Sequence, residues 1–505
     1  MKIFNTPIRA YFGSREERIV SLYEDSLETQ EKWFRYLVKN GLKTAFGKDH
    51  GFTGNLSYTS FTNNLPVQNY NTLYPYIERV IKGEDYVLWN SKTEWIAKSS
   101  GTTHDRSKYI PVTDESLNLN NYLSAKDSLT FYIELFPDTE LFAGKAITLG
   151  GSLQKIEIET KLKCGDISAI LMENMPFLGD FLNAAGREIL LTDDWNEKLL
   201  LIAQHTLHEN VTSLSGVPSW MLLVLKKILD ISGKRHIFEV WENLEVFFHG
   251  GVAFGPYRDE YKKIIPGNKM FYMNMYNASE GFFGLQDQRN SDDLLLLSDN
   301  GVFFEFTEIN EVGKKGEKTV PLSDVELGKN YAIIITTASG LWRYEIGDTV
   351  KFTSLHPFRF QITGRTAHYI NVFGEELMVD NAEKAIAIAC TETCSTIDNF
   401  TVAPIYLSEA RGGHQWAIEF TKMPPDLKQF AVILDQALKS INSDYEAKRS
   451  NDLMLTLPQI TILKEGAFLT WLEKNNKLGS QNKIPHLQND RIFIEKILEL
   501  SRALL

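Results

Sequence analysis

Cysteine is scarce in this chain, with only three among 505 residues. Cys164, Cys390 and Cys394 are too few to build a disulfide framework. Cys390 and Cys394 stand one helical turn apart, but no second pair of metal ligands accompanies them. The pattern therefore predicts buried free thiols rather than a metal centre or a disulfide-linked fold.

Blocks of basic residues and long apolar runs are also lacking. The formal net charge is −12, and lysine and arginine are scattered along the chain. This balance argues against nucleic acid or an anionic membrane as the main partner. No uninterrupted apolar stretch is long enough to span a bilayer, and the first residues lack the apolar segment of a signal peptide. We therefore expect a cytoplasmic protein, and no feature of the sequence implies an obligate protein partner.

Two common nucleotide-binding signatures are missing. A Walker A loop needs a hydroxyl residue directly after its Gly-Lys pair, and Gly47-Lys48 is followed by Asp49 at the wrong distance from Gly41. The glycine pattern of dinucleotide-binding folds is not met either, because Gly250, Gly251 and Gly255 have a different spacing. If this chain binds a nucleotide, it does so with another set of residues.

The chain is too long for one ordinary hydrophobic core, so we expect two or more structural units. Strands alternate with helices up to Arg365, which predicts an α/β architecture, and a smaller α+β unit follows. The expected domains are residues 1–365 and 366–505. The Ser14-Arg15-Glu16-Glu17 pattern predicts a capped helix start. The predicted helices are 14–44, one that starts at 73, 114–135, 199–209, 218–231, 376–391, 426–440, 468–474 and 489–505; the predicted strands are 94–97, 145–149, 244–248, 269–275, 301–306, 331–337, 415–420 and 459–464.

A loop rich in hydroxyl residues follows the first predicted strand. Hydroxyl groups donate hydrogen bonds, glycine lets backbone N–H groups approach an anion closely, and a lysine adds a point charge. Such a loop after a strand predicts a phosphate cradle, although a solvated turn has the same composition. The residues of this loop are Ser99, Ser100, Gly101, Thr102, Thr103 and Lys108.

Two further polar stretches stand in order along the chain, Tyr276-Asn277-Ala278-Ser279-Glu280-Gly281 and Arg343-Tyr344-Glu345-Ile346-Gly347-Asp348. Together with the hydroxyl loop they resemble the three nucleotide motifs of the Gretchen Hagen (GH-three) family of acyl acid amido synthetases. The resemblance extends over essentially the whole chain, to Gln481-Asn482-Lys483-Ile484-Pro485, and is closest to bacterial members. It implies an adenylate-forming α/β fold with a large N-terminal domain of mixed sheets and helices and a smaller, mobile α+β C-terminal domain.

The chain departs from the family pattern at two places. Asp105 stands where the first motif usually has glycine, so this loop can turn differently. The predicted helix 114–135 offers Lys126 but no arginine, whereas plant members that bind aromatic hormones often carry an arginine there. The hormone specificity of those members is therefore not expected here.

The resemblance assigns roles residue by residue. The hydroxyl loop is expected to hold the phosphates of ATP, Glu280 to bind Mg²⁺ beside Ser279, and Asp348 and Arg365 to contact the ribose. Tyr276 is expected on the adenine face, with Gly250 and Gly251 along the edge of the base. Lys108 and Lys483 are the expected catalytic lysines, and Lys477 competes with Lys483 for the role of the mobile lysine. Each residue also has a simpler structural interpretation, such as a core aromatic, a turn aspartate or a solvated lysine. His249 and His368 are expected to be packing residues.

The sequence thus predicts an ATP-dependent acyl acid amido synthetase that joins a carboxylic acid to an amino acid through an acyl-adenylate. One alternative keeps the adenylation but uses CoA or a carrier protein as acceptor. The other is a nucleotide- or acid-binding protein without catalysis. The acid and the amine are not fixed by the sequence, and the loose candidates for the acid pocket are Tyr122, Leu123, Phe131, Trp220 and Met221.

Overall fold

The computed structural model describes most of the chain. The described residues are 2–99, 108–154, 160–251, 254–314, 316–366, 369–370, 377–408, 411–442, 445–446, 449, 455–475, 477, 484–488 and 490–504.

The N-terminal segment is a series of helices that packs beside the sheets. Because α1 is already helical up to Gly13, Ser14 lies after this helix, and its hydroxyl donates to the carbonyl of Tyr11 at 2.8 Å. The predicted single helix 14–44 is wrong, because the chain breaks at Asp25 between α2 and α3 and no side chain caps α2. These helices are α1 (Lys2–Gly13), α2 (Glu16–Glu24), α3 (Ser26–Gly41), α4 (Ala45–Asp49), α5 (Tyr58–Asn64) and α6 (Tyr70–Ile81).

A four-stranded sheet follows, with strand order β2-β1-β5-β4 among the described residues. Strands β1 (Trp95–Ser99) and β2 (Lys108–Val112) form an antiparallel pair in which Ser99 lies opposite Lys108. The predicted strand at 94–97 is confirmed, and the pairing fixes both ends of the hydroxyl loop. The other strands of this sheet are β4 (Leu153–Gln154) and β5 (Lys163–Gly165).

The larger sheet has the strand order β12-β11-β13-β14-β15-β10-β9-β8-β7-β6-β3. Strands β3, β6, β7 and β8 are parallel to one another, and the remaining pairs are antiparallel. The strands predicted at 145–149, 244–248, 269–275, 301–306 and 331–337 are confirmed, with bounds that differ by at most three residues. Their bounds are β3 (Lys145–Thr148), β6 (Val211–Gly216), β7 (Val246–Gly250), β8 (Phe271–Ala278), β9 (Gly281–Leu285), β10 (Leu294–Leu296), β11 (Val302–Glu308), β12 (Val320–Pro321), β13 (Asn330–Thr337), β14 (Tyr344–Leu355) and β15 (Phe358–Arg365).

Helices cover both faces of the parallel part of this sheet. The predicted helix 114–135 is continuous, but its second part, Leu117–Tyr122, is a π-helical turn between α7 (Asp114–Ser116) and α8 (Leu123–Leu135). Short 3-10 segments lie at Leu141–Ala143, Ile237–Glu239, Gly255–Tyr257, Ile309–Glu311 and Leu322–Asp324. The remaining helices are α9 (Ile167–Glu173), α10 (Phe177–Phe181), α11 (Arg187–Leu190), α12 (Trp195–Thr206), α13 (Pro218–Ser232) and α14 (Arg258–Ile264).

The C-terminal part builds on the three-stranded order β18-β19-β20. Its helices and the strands at 415–420 and 459–464 were predicted, but the long edge strand β18 was not. Its core is separate from the clusters under the large sheet and contains residues such as Phe400, Trp416 and Leu434. The elements are β16 (Tyr369–Ile370), β17 (Leu377–Met378), α15 (Val379–Glu392), β18 (Thr396–Ser408), β19 (Arg411–Lys422), α16 (Leu427–Ile441), β20 (Gln459–Leu463), α17 (Ala467–Lys474) and α18 (Ile492–Ala503).

The cysteines are free thiols, as expected, but only Cys164 is fully buried. Cys390 is half-buried on α15, and Cys394 is exposed, because the helix ends at Glu392 before reaching it. The prediction of buried thiols is therefore wrong for Cys394. Among the described helices, none is both long and apolar enough to cross a membrane.

Candidate active site

The predicted site residues that the structure describes line one cleft of about 2380 Å³. Gly250 ends β7, Tyr276 lies near the end of β8, and Glu280 stands in the turn between β8 and β9. Asp348 lies in β14 directly opposite Arg365, the last residue of β15. The cleft wall continues onto the C-terminal part, where α15 and the start of β18 contribute side chains.

Asp348 is held by two donors, one on each carboxylate oxygen. The Tyr276 hydroxyl donates to Oδ2 at 2.7 Å, and Arg365 Nε donates to Oδ1 at 2.7 Å. Burial and the Asp348 charge raise the pKa of Tyr276 well above its usual value, so the phenol keeps the proton that it donates. The Asp348 charge likewise raises the pKa of Arg365. Tyr276, Asp348 and Arg365 therefore form a hydrogen-bonded group that lines the cleft. Asp348 is not merely a turn residue, and Arg365 does not merely form an ion pair on the protein surface.

Glu280 is the second acidic group on this wall. Burial raises the pKa of its carboxyl; the Lys108 and Arg365 charges lower this pKa, and the Asp348 charge raises it further. The Tyr344 hydroxyl is buried with no hydrogen-bond partner among the described residues, and burial followed by the Glu280 charge raises its pKa well above its usual value. Tyr344 belongs to the hydrophobic core and does not line the cleft, whereas Glu280 does.

A lone carboxylate fits Mg²⁺ better than it fits a transition metal. The described part of the chain contains no group of three histidine, cysteine, aspartate or glutamate side chains able to hold a metal. Mg²⁺ usually keeps several waters and is bound by one or two carboxylates together with phosphate oxygens. The residues around Glu280 therefore fit the ion that the sequence predicts.

Gly250 lets β7 approach β8 closely, and Gly251 turns the chain directly after it. A Cβ atom on Gly250 would lie 2.5 Å from the carbonyl oxygen of Met275, and Gly251 has φ +83°, a left-handed conformation that favours glycine. Beside them, burial and then the Arg258 charge lower the pKa of His249 to about 3, and its ring stacks on Phe254 with 4.5 Å between centroids. His249 is thus a neutral residue packed on Phe254, but its buried Nδ1 has no hydrogen-bond partner among the described residues.

Several predicted residues lie outside the described residues, namely Ser100, Gly101, Thr102, Thr103, Asp105, His368 and Lys483. Ile484, Pro485 and His486, which follow Lys483, line the same cleft as Glu280. Lys477 is described, and its ammonium lies over the ring of Trp471 at 5.1 Å from the centroid. It does not line the cleft.

The acid-pocket candidates divide into two groups. Tyr122 and Trp220 line the cleft, whereas Phe131 and Met221 are buried in the hydrophobic core and the half-buried Leu123 does not line the cleft. Sequence reasoning missed Asn121, which lines the cleft one residue before Tyr122. The available signal was the pair Asn120-Asn121 between Leu119 and Tyr122, since asparagine is usually exposed unless its amide is used.

Family comparison supplies the decisive observation. The GH3 family N-terminal domain matches residues 15–270, the GH3 family central domain residues 295–365, and the GH3 family C-terminal domain residues 380–492.

This chain belongs to the GH3 family.

Two curated relatives span nearly the whole GH3 chain. The indole-3-acetic acid-amido synthetase GH3.3 of Arabidopsis thaliana is 24% identical over 90% of this chain and 88% of that protein. The jasmonoyl--L-amino acid synthetase JAR6 of Nicotiana attenuata is 23% identical, with 96% of this chain and 95% of that protein aligned. The GH3 protein is accordingly an enzyme of the ligase class, an acyl acid amido synthetase.

Solved structures share its fold. The GH3.15 acyl acid amido synthetase superimposes with a TM-score of 0.78 at 19% identity, covering 96% of this chain and 94% of that chain. The 2-hydroxyisobutyryl-CoA ligase in its postadenylation state gives a TM-score of 0.55 at 11% identity, covering 97% and 91%. The GH3 protein therefore has the adenylate-forming fold.

Proposed function

We propose that this GH3 protein uses ATP and Mg²⁺ to adenylate a carboxylic acid and then transfers the acyl group to an amino acid. The observation that carries the proposal is the Tyr276–Asp348–Arg365 unit, which lines the same cleft as Glu280 and Lys108. A carboxylate flanked by two donors suits the hydroxyl groups of a ribose, and the nearby cations suit phosphate.

The chemistry explains why both substrates must share one cleft. A carboxylate oxygen of the acid attacks the α-phosphorus of ATP, and pyrophosphate leaves with the electron pair of the broken P–O bond. The amine then attacks the acyl carbon, AMP leaves, and the amine loses a proton to give the amide. Mg²⁺, when bound, would neutralise charge on the phosphates.

The chain's own residues would orient the reactants and exclude water. Glu280 would hold the metal, Lys108 with Ser99 and the rest of the hydroxyl loop would hold phosphate, and Tyr276 would support the base beside Gly250 and Gly251. Lys483 would be delivered by a mobile C-terminal domain, residues 366–505, that turns just after Arg365. The closed cleft would protect the acyl-adenylate from hydrolysis.

The alternative acceptor CoA carries phosphates of its own and would favour a basic docking groove in the C-terminal part. Two of the cations in the C-terminal part, Lys439 and Arg449, both pair with Asp435. Lys439 Nζ lies 2.6 Å from Oδ2 of this carboxylate, and Arg449 Nε lies 2.6 Å from Oδ1. They are thus committed to an internal ion pair rather than free to dock the phosphates of CoA.

The test is pyrophosphate release from ATP and Mg²⁺ across a panel of carboxylic acids, with and without pooled amino acids. We expect release that depends on one class of acid and is accelerated by an amino acid. Release that depends on an acid but ignores amino acids would move the acceptor to CoA or a carrier protein. ATP binding without release for any acid would favour a non-catalytic protein.

The metal role of Glu280 has its own test. Glu280→Gln keeps the shape of the side chain but removes the charge that a hard cation needs. We expect the Mg²⁺ concentration for half-maximal pyrophosphate release to rise about tenfold or more, because one charge-assisted contact is lost. Asp292→Asn is the matched control, since Asp292 lines the same cleft but its side chain is 80% exposed. An unchanged magnesium titration for Glu280→Gln would contradict the assignment.

A further inference from the structure

Asn121 is a buried polar side chain that the reaction as described so far does not use. Its residue is only 7% exposed overall, and its side chain lines the main cleft. A carboxamide on a cleft wall offers two N–H donors and one acceptor oxygen to a bound molecule. The wall beside it carries the apolar or aromatic residues Tyr122, Ala125 and Leu129, together with Lys126 and Ser128.

The preceding residue, Asn120, fixes the position of the helical turn that carries Asn121. Asn120 accepts from the backbone N–H of Phe282 at 2.7 Å and donates to the carbonyl oxygens of Phe282 and Asn300 at 3.0 and 3.2 Å. These bonds tie the π-helical turn to β9. Interruptions of this kind in α-helices are frequent at functional sites. Asn121 is thus placed by a rigid anchor rather than by a mobile loop.

Asn121 lies near the end of the cleft where the metal and the phosphates are expected. A small side cavity beside the main cleft is lined by Asn121 together with Ser279 and Glu280. Asn121 also lines the main cleft. It therefore stands where the apolar wall meets the expected metal and phosphate site, which is where the carboxylate of the acid must lie to attack phosphorus.

We propose that the Asn121 carboxamide donates a hydrogen bond to the carboxylate of the acid substrate and orients it for adenylation. This inference rests on the proposed function. A neutral amide fixes one carboxylate oxygen and leaves the other free to attack, whereas a cation at this position would pair strongly with the carboxylate and weaken it as a nucleophile. Because the contact is to the group that every substrate acid shares, it serves all acids alike.

The experiment measures KM for the acid in wild type, Asn121→Ala, Asn121→Asp and Asn121→Ser. The probes are acetate, hexanoate, benzoate and indole-3-acetate, and the readout is pyrophosphate release at saturating ATP and Mg²⁺. For every acid that the wild type uses, we expect Asn121→Ala to raise KM about tenfold or more, since a hydrogen bond to a charged group is lost. Asn121→Asp should raise KM further by repulsion, and Asn121→Ser, which keeps a donor, should recover part of the loss. The KM for ATP and the amino acid and the melting temperature should stay unchanged.

Asn118→Asp is the matched control, because Asn118 is exposed on the same π-helical turn and donates to the Asp114 carbonyl at 2.8 Å. It introduces the same charge on the same element, and KM for the acid should stay at the wild-type value. Three results would overturn the proposal: an unchanged KM in Asn121→Ala, an increase confined to acids that carry a second polar group, or a parallel change in all KM values with a lower melting temperature. Failure of the proposed function would be visible separately, as wild-type enzyme that releases no pyrophosphate with any acid.

Discussion

At the scale of single residues, the motif at 343–348 serves two different purposes. Asp348 lines the cleft, whereas Arg343 points into the protein, where it is 2% exposed and pairs with the fully buried Glu305. Arg343 Nη2 lies 3.0 Å from Glu305 Oε1, and Nη1 also reaches the carbonyl of Thr62 at 3.3 Å. The arginine thus joins the N-terminal helices to the large sheet. Its contacts fix the start of the motif, and Asp348 at the end of the motif lines the cleft.

The buried pair gives a stability prediction. Glu305→Gln leaves the Arg343 guanidinium buried without a compensating charge, so we expect the free energy of unfolding of the N-terminal part to fall by about 3–5 kcal/mol. Urea unfolding followed by tryptophan fluorescence measures this. Glu311→Gln is the control, because its pair with Lys314 is exposed and should contribute less than about 1 kcal/mol. Equal effects of the two substitutions would show that Arg343 has no anchoring role.

At the scale of secondary-structure elements, strands that end in glycine or polar residues were the most predictable part. The strand β7 before Gly250 and the strand β8 before Ser279 have apolar, β-branched or aromatic residues and clear polar ends, so local pattern and tertiary structure agree. The hydrogen bond between Tyr276 and Asp348 could not be predicted, because it joins residues 72 positions apart through the pairing of the sheet.

The missed elements have identifiable physical causes. The strand β18 contains Pro404, which weakens a strand prediction but is tolerated because β18 lies at the edge of its sheet. The π-helical turn at 117–122 has no sequence period distinct from an α-helix, so Asn121 could not be placed in the cleft from its spacing. The break at Asp25 was hidden because strong helix formers, Leu22 and Glu24 before it and Leu27 and Glu28 after it, stand on both sides.

The close packing of β7 and β8 gives a prediction for an element. Gly250→Ala places a methyl group 2.5 Å from the Met275 carbonyl, which is backbone and must move. Because Met275 directly precedes Tyr276, we expect KM for ATP to rise several-fold. The free energy of unfolding should fall by roughly 1–3 kcal/mol, because the added methyl group overpacks the site. Gly54→Ala is the control, since a Cβ there meets nothing within 4 Å. Unchanged ATP kinetics in Gly250→Ala would mean that this strand end does not position the base.

At the scale of the whole molecule, the cleft takes its walls from two parts with separate cores. Tyr276, Glu280 and Asp348 belong to the large sheet, whereas Glu383 and His486 belong to the C-terminal part. His486 is held by Glu383, with 2.9 Å between Nδ1 and Oε1, and its backbone carbonyl accepts from Val402 at 2.7 Å. The segment after Lys483 is therefore anchored to the C-terminal part, and any rotation of that part relative to the sheet would carry it along.

This arrangement makes the proposed role of Lys483 separable from nucleotide binding. We expect Lys483→Ala to slow acid-dependent pyrophosphate release by a factor of about 100 or more, because a cation that acts on the developing charge of the α-phosphate stabilises the transition state rather than the ground state. The affinity for ATP, measured by calorimetry without acid, should change less than about threefold. Lys477→Ala is the control, since its ammonium lies on Trp471 away from the cleft, and pyrophosphate release should continue at the wild-type rate. Loss of ATP affinity in proportion to rate would make Lys483 a binding residue, and loss of rate in Lys477→Ala instead would transfer the catalytic role to that lysine.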